Sequence, residues 1–244
     1  MKKWIAFWNI LIKDMKNYYL KPPNISWGII FPFAWTLMFL LRSNIDVDIR
    51  EILPGIMAIS ILFGTTSMLA VTITFERKGR SFERLLLAPI GLNLLMMAKT
   101  VGAIIFGILN AFVPIVFSLF FINLSGISWI PVIISVILIA VTSTFLGLFI
   151  AVSVNEIFEA QTFSNFFRFP MIFLCGLFIP LTQMPAVIRP LSFVLPLTYG
   201  VDILKTAINN DGYIPMGVSF IVLIAFGLFL FLFSIRNVKR KWII

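Results

Sequence analysis

Histidine is absent from this chain, and cysteine occurs once, as Cys175. An intramolecular disulfide is therefore excluded, as are zinc sites of the Cys/His type, histidine-dependent triads and HExxH chemistry. Cys175 lies in an apolar stretch and reads as a buried thiol rather than a reactive one. Charge is scarce too: 12% of residues are Asp, Glu, Lys or Arg and 60% are hydrophobic, with a mean hydropathy of +1.05. Soluble domains run nearer about 45–50% apolar and about 25% charged. A water-soluble core of this size cannot hide the surplus, so lipid must cover part of it. No G-x-x-x-x-G-K-[ST] motif occurs, which removes that route to ATP phosphates. The apolar windows hold no carboxylate pair, which weakens an ion-coupled carrier and leaves an intramembrane enzyme little chemistry.

What is present is a set of long windows without Asp, Glu, Lys or Arg: 22–41, 52–75, 100–155, 169–188 and 212–235. A helix needs roughly 20 apolar residues to cross about 30 Å of hydrocarbon. The third window is long enough for two crossings, with a turn at Asn123-Leu124-Ser125-Gly126 and Trp129 at the interface. The fourth is short, so its crossing is expected to begin near Ala160 and to carry Arg168 in the inner half of the bilayer. The expected architecture is a single all-α integral membrane domain, 1–244. It has an interfacial helix over 1–22 and six spans at about 25–41, 52–75, 99–122, 128–154, 160–181 and 214–235.

The net charge of +9 invites a nucleic-acid reading, but the basic residues cluster between apolar runs, as the positive-inside rule demands. Six spans with the N-terminus inside place 15 Lys and Arg residues in the cytoplasm and four outside. Both termini are then cytoplasmic. The basic start Met1-Lys2-Lys3 is followed by Lys13, Asp14 and Lys16 rather than an unbroken apolar run, so no cleaved leader is expected.

Three segments stand out. Residues 4–19 place Trp4, Trp8, Leu11, Ile12, Met15 and Tyr19 on one helical face, with Lys2, Lys3, Lys13, Lys16 and Lys21 elsewhere. This reads as an amphipathic helix on the cytoplasmic surface, either a topology anchor or a docking element. The loop 76–99 opens with Glu76-Arg77 and becomes a short helix that Ser81 can cap and Pro89 stops. Phe82, Leu85, Leu86 and Pro89 form an apolar stripe there, suited to a cleft on a partner or to an ordinary amphipathic loop. After the fifth window, Pro180, Pro185, Pro190 and Pro196 break up 177–200. That segment reads as a re-entrant external gate or as a structured external loop. Small residues recur every four positions at Ala103, Gly107 and Ala111, and at Ser143, Gly147 and Ala151, a pattern for close helix packing.

Together these segments resemble the membrane subunit of ABC-2 type ABC transporters, in particular permeases of daunorubicin and multidrug export systems. The resemblance rests on Glu76-Arg77, Glu83-Arg84-Leu85-Leu86 and Ala88-Pro89, then on Pro180, Met184-Pro185 and Pro196-Leu197-Thr198-Tyr199. In the turn, this chain reads Lys78-Gly79-Arg80-Ser81 where the family usually has Arg-Gly-Thr. The resemblance implies a multi-pass permease in the plasma (inner) membrane of a prokaryote, with a coupling helix between spans 2 and 3 and re-entrant external helices between spans 5 and 6. It implies pairing with a second permease copy or paralogue and with ABC ATPase subunits. The chain itself would bind no cofactor or metal, and the partner ATPase would use ATP and Mg. Site residues carried by the resemblance are Glu76, Arg77, Phe82, Glu83, Arg84, Leu85, Leu86 and Pro89 for coupling. Phe178, Pro180, Pro185 and Tyr199 would form the external gate, and Trp4, Trp8, Leu11 and Lys13 belong to the interfacial helix. Export of a drug- or lipid-like substrate is the expected activity; export of a polysaccharide or lipid-linked glycan, and an ATP-independent channel or carrier, are the alternatives.

Overall fold

A computed structural model describes residues 2–26, 30, 33–34, 37–38, 48–87 and 90–242. Every regular element among the described residues is a helix. Helix α1 (Lys2–Asp14) continues through a π-helical turn, Met15–Tyr19, into the short α2 (Pro22–Ile25). Then follow α3 (Ile49–Lys78), the short α4 (Ser81–Leu86), α5 (Leu92–Ser118), α6 (Trp129–Ser153) and α7 (Ile157–Leu174). The chain ends with α8 (Arg189–Phe193), α9 (Pro196–Asn209) and α10 (Met216–Trp242). Among the described residues four helices are long and apolar enough to cross a membrane: Ile49–Lys78, Leu92–Ser118, Trp129–Ser153 and Met216–Val238. The expected first span at 25–41 falls mostly outside the described residues.

Helix α3 is the axis of the molecule. It packs against α5, α6, α7 and α9, and nearly all of it is buried, whereas α10 lies on α6 and α9 with most of its surface outward. The two small-residue stripes explain how α3 is held so closely. A Cβ on Gly107 of α5 would lie 2.2 Å from Thr65 Cγ2, and one on Gly147 of α6 would lie 2.4 Å from the Thr66 carbonyl oxygen. Consecutive threonines of α3 thus face glycines on two different neighbours. Thr66 also donates its hydroxyl to the Ser143 carbonyl at 3.2 Å. With the backbones this near, dispersion and the interhelical hydrogen bond hold the helices where burial from water cannot.

Helix α7 departs from the expected crossing at 160–181. It begins at Ile157, where Glu156 and Glu159 form a reciprocal cap, and ends at Leu174. Its 18 residues span about 27 Å. Gly176, with φ +85, then takes the left-handed conformation that lets the chain leave the helix, so 177–180 is not helical. Pro180 is extended, and Leu181–Gln183 make a single 3-10 turn.

Helix α9 enters the bundle from the end opposite α4. Its Gly200 abuts Ile139 of α6, where a Cβ would lie 2.4 Å from Ile139 Cγ1, and Ser135 donates to the Gly200 carbonyl at 3.2 Å. Asp202 is buried and closes the return to α10. Its carboxylate accepts from the backbone N–H of Tyr213 at 2.8 Å and of Ile214 at 3.1 Å. Arg50, at the start of α3, donates to the Ile208 carbonyl (3.1 Å) and the Ser125 carbonyl (3.0 Å), tying three elements together at this end.

The packing of α3 gives a direct prediction. Gly147→Leu meets backbone and cannot relax by rotating a side chain, so it should destabilise the protein by about 1–3 kcal/mol or more. Gly217→Ala, where nothing lies within 4 Å, should be neutral or slightly stabilising. Thermal melts of the two detergent-solubilised variants, followed by size-exclusion chromatography, separate these outcomes; equal melts would remove the close-packing account.

Candidate coupling site

Three consecutive charged residues end α3, and because successive positions on a helix point about 100° apart they reach three different neighbours. Arg77 donates to the Val154 carbonyl at 3.3 Å, satisfying a backbone oxygen left open at the end of α6. Lys78 pairs with Glu156, which caps α7. Glu76 points inward and is fully buried.

Burying a carboxylate costs several kcal/mol unless it is paired, and Glu76 also sits at the negative end of the α3 dipole. Two lysines answer both demands. Lys99 Nζ of α5 lies 2.5 Å from Glu76 Oε2 and 2.9 Å from Asp14 Oδ2 of α1. Lys13 Nζ lies 2.7 Å from Glu76 Oε1 and 3.1 Å from Asp14 Oδ1. The result is a closed ring, alternating in sign and neutral overall. Three of its side chains are fully buried and Lys13 forms the partly exposed rim. Burial works to lower the Lys13 pKa, but its hydrogen bond to Glu76 and the two adjacent carboxylates outweigh it and hold the ammonium above its ordinary value. Lys13 therefore stays charged at neutral pH.

Helix α4 hangs from the same structure. Gly79 and Arg80 turn the chain, Arg80 in the left-handed region at φ 54, and the Ser81 hydroxyl donates back to the Glu76 carbonyl at 3.1 Å. Ser81 was expected to cap α4; it instead opens the helix and ties it to α3, while Arg80 occupies the cap position with no side-chain bond. Phe82 turns inward and is buried, part of the apolar cluster that also holds Leu69, Ile73, Leu95 and Phe106. Leu85 and Leu86 pack half-buried on the same cluster. The expected apolar stripe on α4 is therefore spent on this chain's own core. The face left outward carries Glu83, Arg84 and Leu87, the last 86% exposed. Pro89 lies outside the described residues.

The interfacial helix likewise has two apolar sides. Phe7, Ile10 and Leu11 pack inward and continue in register to Asp14, while Trp4 and Trp8 are exposed on the outer side. The single face drawn from Trp4 through Tyr19 merges these two. Asp14 and Lys99, missed as site residues, share one signal. Asp14 sits seven residues after Phe7 on the buried stripe, and Lys99 sits within an otherwise apolar helix.

At the opposite end, Phe178 and Pro180 line one cavity together with Arg50, Glu51 and Lys205. Pro185 is exposed and does not line it, and Tyr199 is turned into the bundle with its hydroxyl bonded to the Phe193 carbonyl at 2.9 Å. The structure brings the first two together and leaves the other two apart from them.

Because the ring is neutral only when complete, its members are strongly coupled. Lys99→Met leaves two buried carboxylates facing one lysine and should cost about 3–5 kcal/mol. Adding Glu76→Gln restores neutrality with the Lys13–Asp14 pair and should recover most of the loss. Melting temperatures of the single and double variants test this, and additive losses would refute the ring.

A family model for the ABC-2 type transporter matches residues 5–209. The chain is 23% identical over 239 residues to the inner membrane transport permease YadH of Escherichia coli (strain K12), covering 91% of this chain and 90% of that protein. The same-named proteins of Escherichia coli O157:H7 and Shigella flexneri match at the same 23% identity and coverage of 91% and 90%. The match takes in α1 through α9, including the charged end of α3 and all four members of the ring, so this chain belongs to the ABC-2 type transporter family.

Proposed function

We propose that this chain is the permease subunit of an ATP-driven exporter, receiving an ABC ATPase on α4 and pairing with a second permease. The observation that supports this most is the mounting of α4. A six-residue helix has no stability of its own, yet here Phe82 and the Ser81 hydroxyl fix it to the end of the axial helix. Its outward face presents Glu83, Arg84 and Leu87, one charge of each sign beside an apolar tip, which suits a cleft on a rigid partner.

In this reading the α4 end faces the cytoplasm, in line with the excess of Lys and Arg assigned to that side. ATP and Mg²⁺ are bound by the ATPase, whose closure pushes α4. The push passes to α3 through the turn, to α1 and α5 through the charge ring, and to α6 and α7 through Arg77 and Lys78. A two-state interface between permeases is thereby biased by nucleotide. At the far end, Phe178 and Pro180 form the part of the external gate nearest α3, with Pro185 and Tyr199 on the segments that follow. Trp4 and Trp8 hold α1 in the membrane surface. The substrate is a drug- or lipid-like amphiphile moved out of the cytoplasm.

Charge reversal by Glu83→Arg should weaken association with the cognate ATPase about tenfold or more and lower ATP-dependent transport in step, leaving the melting temperature of the permease unchanged. Glu83→Gln should be milder. Pull-down of the ATPase by each variant, with transport measured in proteoliposomes, checks this. Unchanged binding and transport in Glu83→Arg would rule out α4 as the ATPase contact.

A further inference from the structure

Arg168 of α7 is 2% exposed. Its guanidinium carbon sits 4.4 Å from the ring centroid of Phe63, the midpoint of α3 and about 21 Å from each end of that helix. On α7 itself it is about 16 Å beyond Ile157. The sequence leads one to expect it in the inner half of the bilayer; in the structure it lies beside the midpoint of the axial helix, stacked on an aromatic ring.

Its polar contacts are few. Nη1 donates to Asn165 Oδ1 at 3.4 Å, and Nε and Nη2 have no partner among the described residues. Among the described residues no carboxylate bonds the guanidinium. The windows 22–41, 52–75, 100–155, 169–188 and 212–235 contain no Asp or Glu, and Glu159 lies two and a half turns back on the same helix. A charge so placed is costly to retain, and its two open donors mark it as a group with a function to serve.

At 2% exposure the guanidinium is closed off, so an anion reaches it only when α7 moves away from α3. Helix α7 is held chiefly by α3, with slighter contacts to α6, α8 and α9. Pro170, two residues beyond Arg168, removes a backbone donor within α7 and marks a place where it can bend. Separation of α7 from α3 exposes the guanidinium to the space between them.

We infer that Arg168 binds the anionic headgroup, carboxylate or phosphate, of an amphiphile that enters between α3 and α7. This rests on the export reading above and narrows its substrate class to acidic amphiphiles. The guanidinium provides a planar pair of donors suited to either oxyanion.

The test uses the permease–ATPase complex in phosphatidylcholine nanodiscs and two matched fluorescent probes, 11-(dansylamino)undecanoate and its uncharged carboxamide. Wild type should bind the carboxylate about tenfold more tightly than the amide, the worth of one charge-assisted contact. Arg168→Gln should bring that ratio close to one without changing amide affinity, and Arg168→Lys should keep part of it. If Arg168→Gln fails to assemble, Arg168→Met is read in the same way, and a wild-type ratio of one overturns the inference without any variant. A preference that survives in Arg168→Gln overturns it too. Phosphatidylglycerol added to the nanodiscs separates the sources: competition with the carboxylate assigns the site to a lipid headgroup, and no competition assigns it to the exported amphiphile. ATP-driven export of the amide with no preference for the carboxylate would remove this inference and leave the export reading intact, whereas transport without ATP would remove the export reading alone.

Discussion

Four charges drawn out of water must balance, and the requirement that Glu76, Asp14, Lys13 and Lys99 remain together shapes one whole end of this protein. Each comes from a different position: the last turn of α3, two neighbouring sites on α1, and the start of α5. Removing any member strands a buried charge, so the helices that carry them cannot move apart cheaply. Packing of Phe82 beside the ring, and the Ser81 bond to the Glu76 carbonyl, extend the same rigid unit to α4.

A neutral ring is a sensible device for transmitting force. An apolar contact between α1 and α3 can slide, because dispersion is nearly indifferent to small shifts along a smooth surface. Ion pairs at 2.5–3.1 Å in a dry site are not indifferent. The Arg77 and Lys78 contacts to the neighbouring helix ends add two further struts. Toward the opposite end, the links are mostly neutral and backbone-directed, through Arg50, Asp202 and Lys205, which donates to the Gly176 carbonyl at 2.6 Å. The molecule is thus stiffened by charge at one end and by hydrogen bonds to loop backbone at the other.

Much of this was legible in the residues. The charge-free windows marked the apolar helices, and the spacing of Gly107 and Gly147 marked the faces pressed against Thr65 and Thr66. Glu76 and Arg77 stood out as the first charges after a charge-free window. Pairing was not legible, because nothing local brings Asp14 to Lys99 across 85 positions. Asp14 counted only as a charge that interrupts the N-terminal apolar run, and its register with Phe7 and Leu11 was the one sign of burial. Phe82 read as a docking residue because an amphipathic stripe does not say which partner covers it. The end of α7 was misjudged because an apolar run through 181 conceals the left-handed turn at Gly176.

The most direct test of the account is a pair of spin-label distances in the assembled complex, with and without a non-hydrolysable ATP analogue. Labels at the exposed Asn9 of α1 and Leu87 beyond α4 should keep one distance distribution, because the ring and Phe82 bind those segments into a single body. Labels at Leu87 and Phe166 of α7 should shift with nucleotide. A nucleotide-dependent change between Asn9 and Leu87 would show that α4 moves free of the ring, and the central claim would fail.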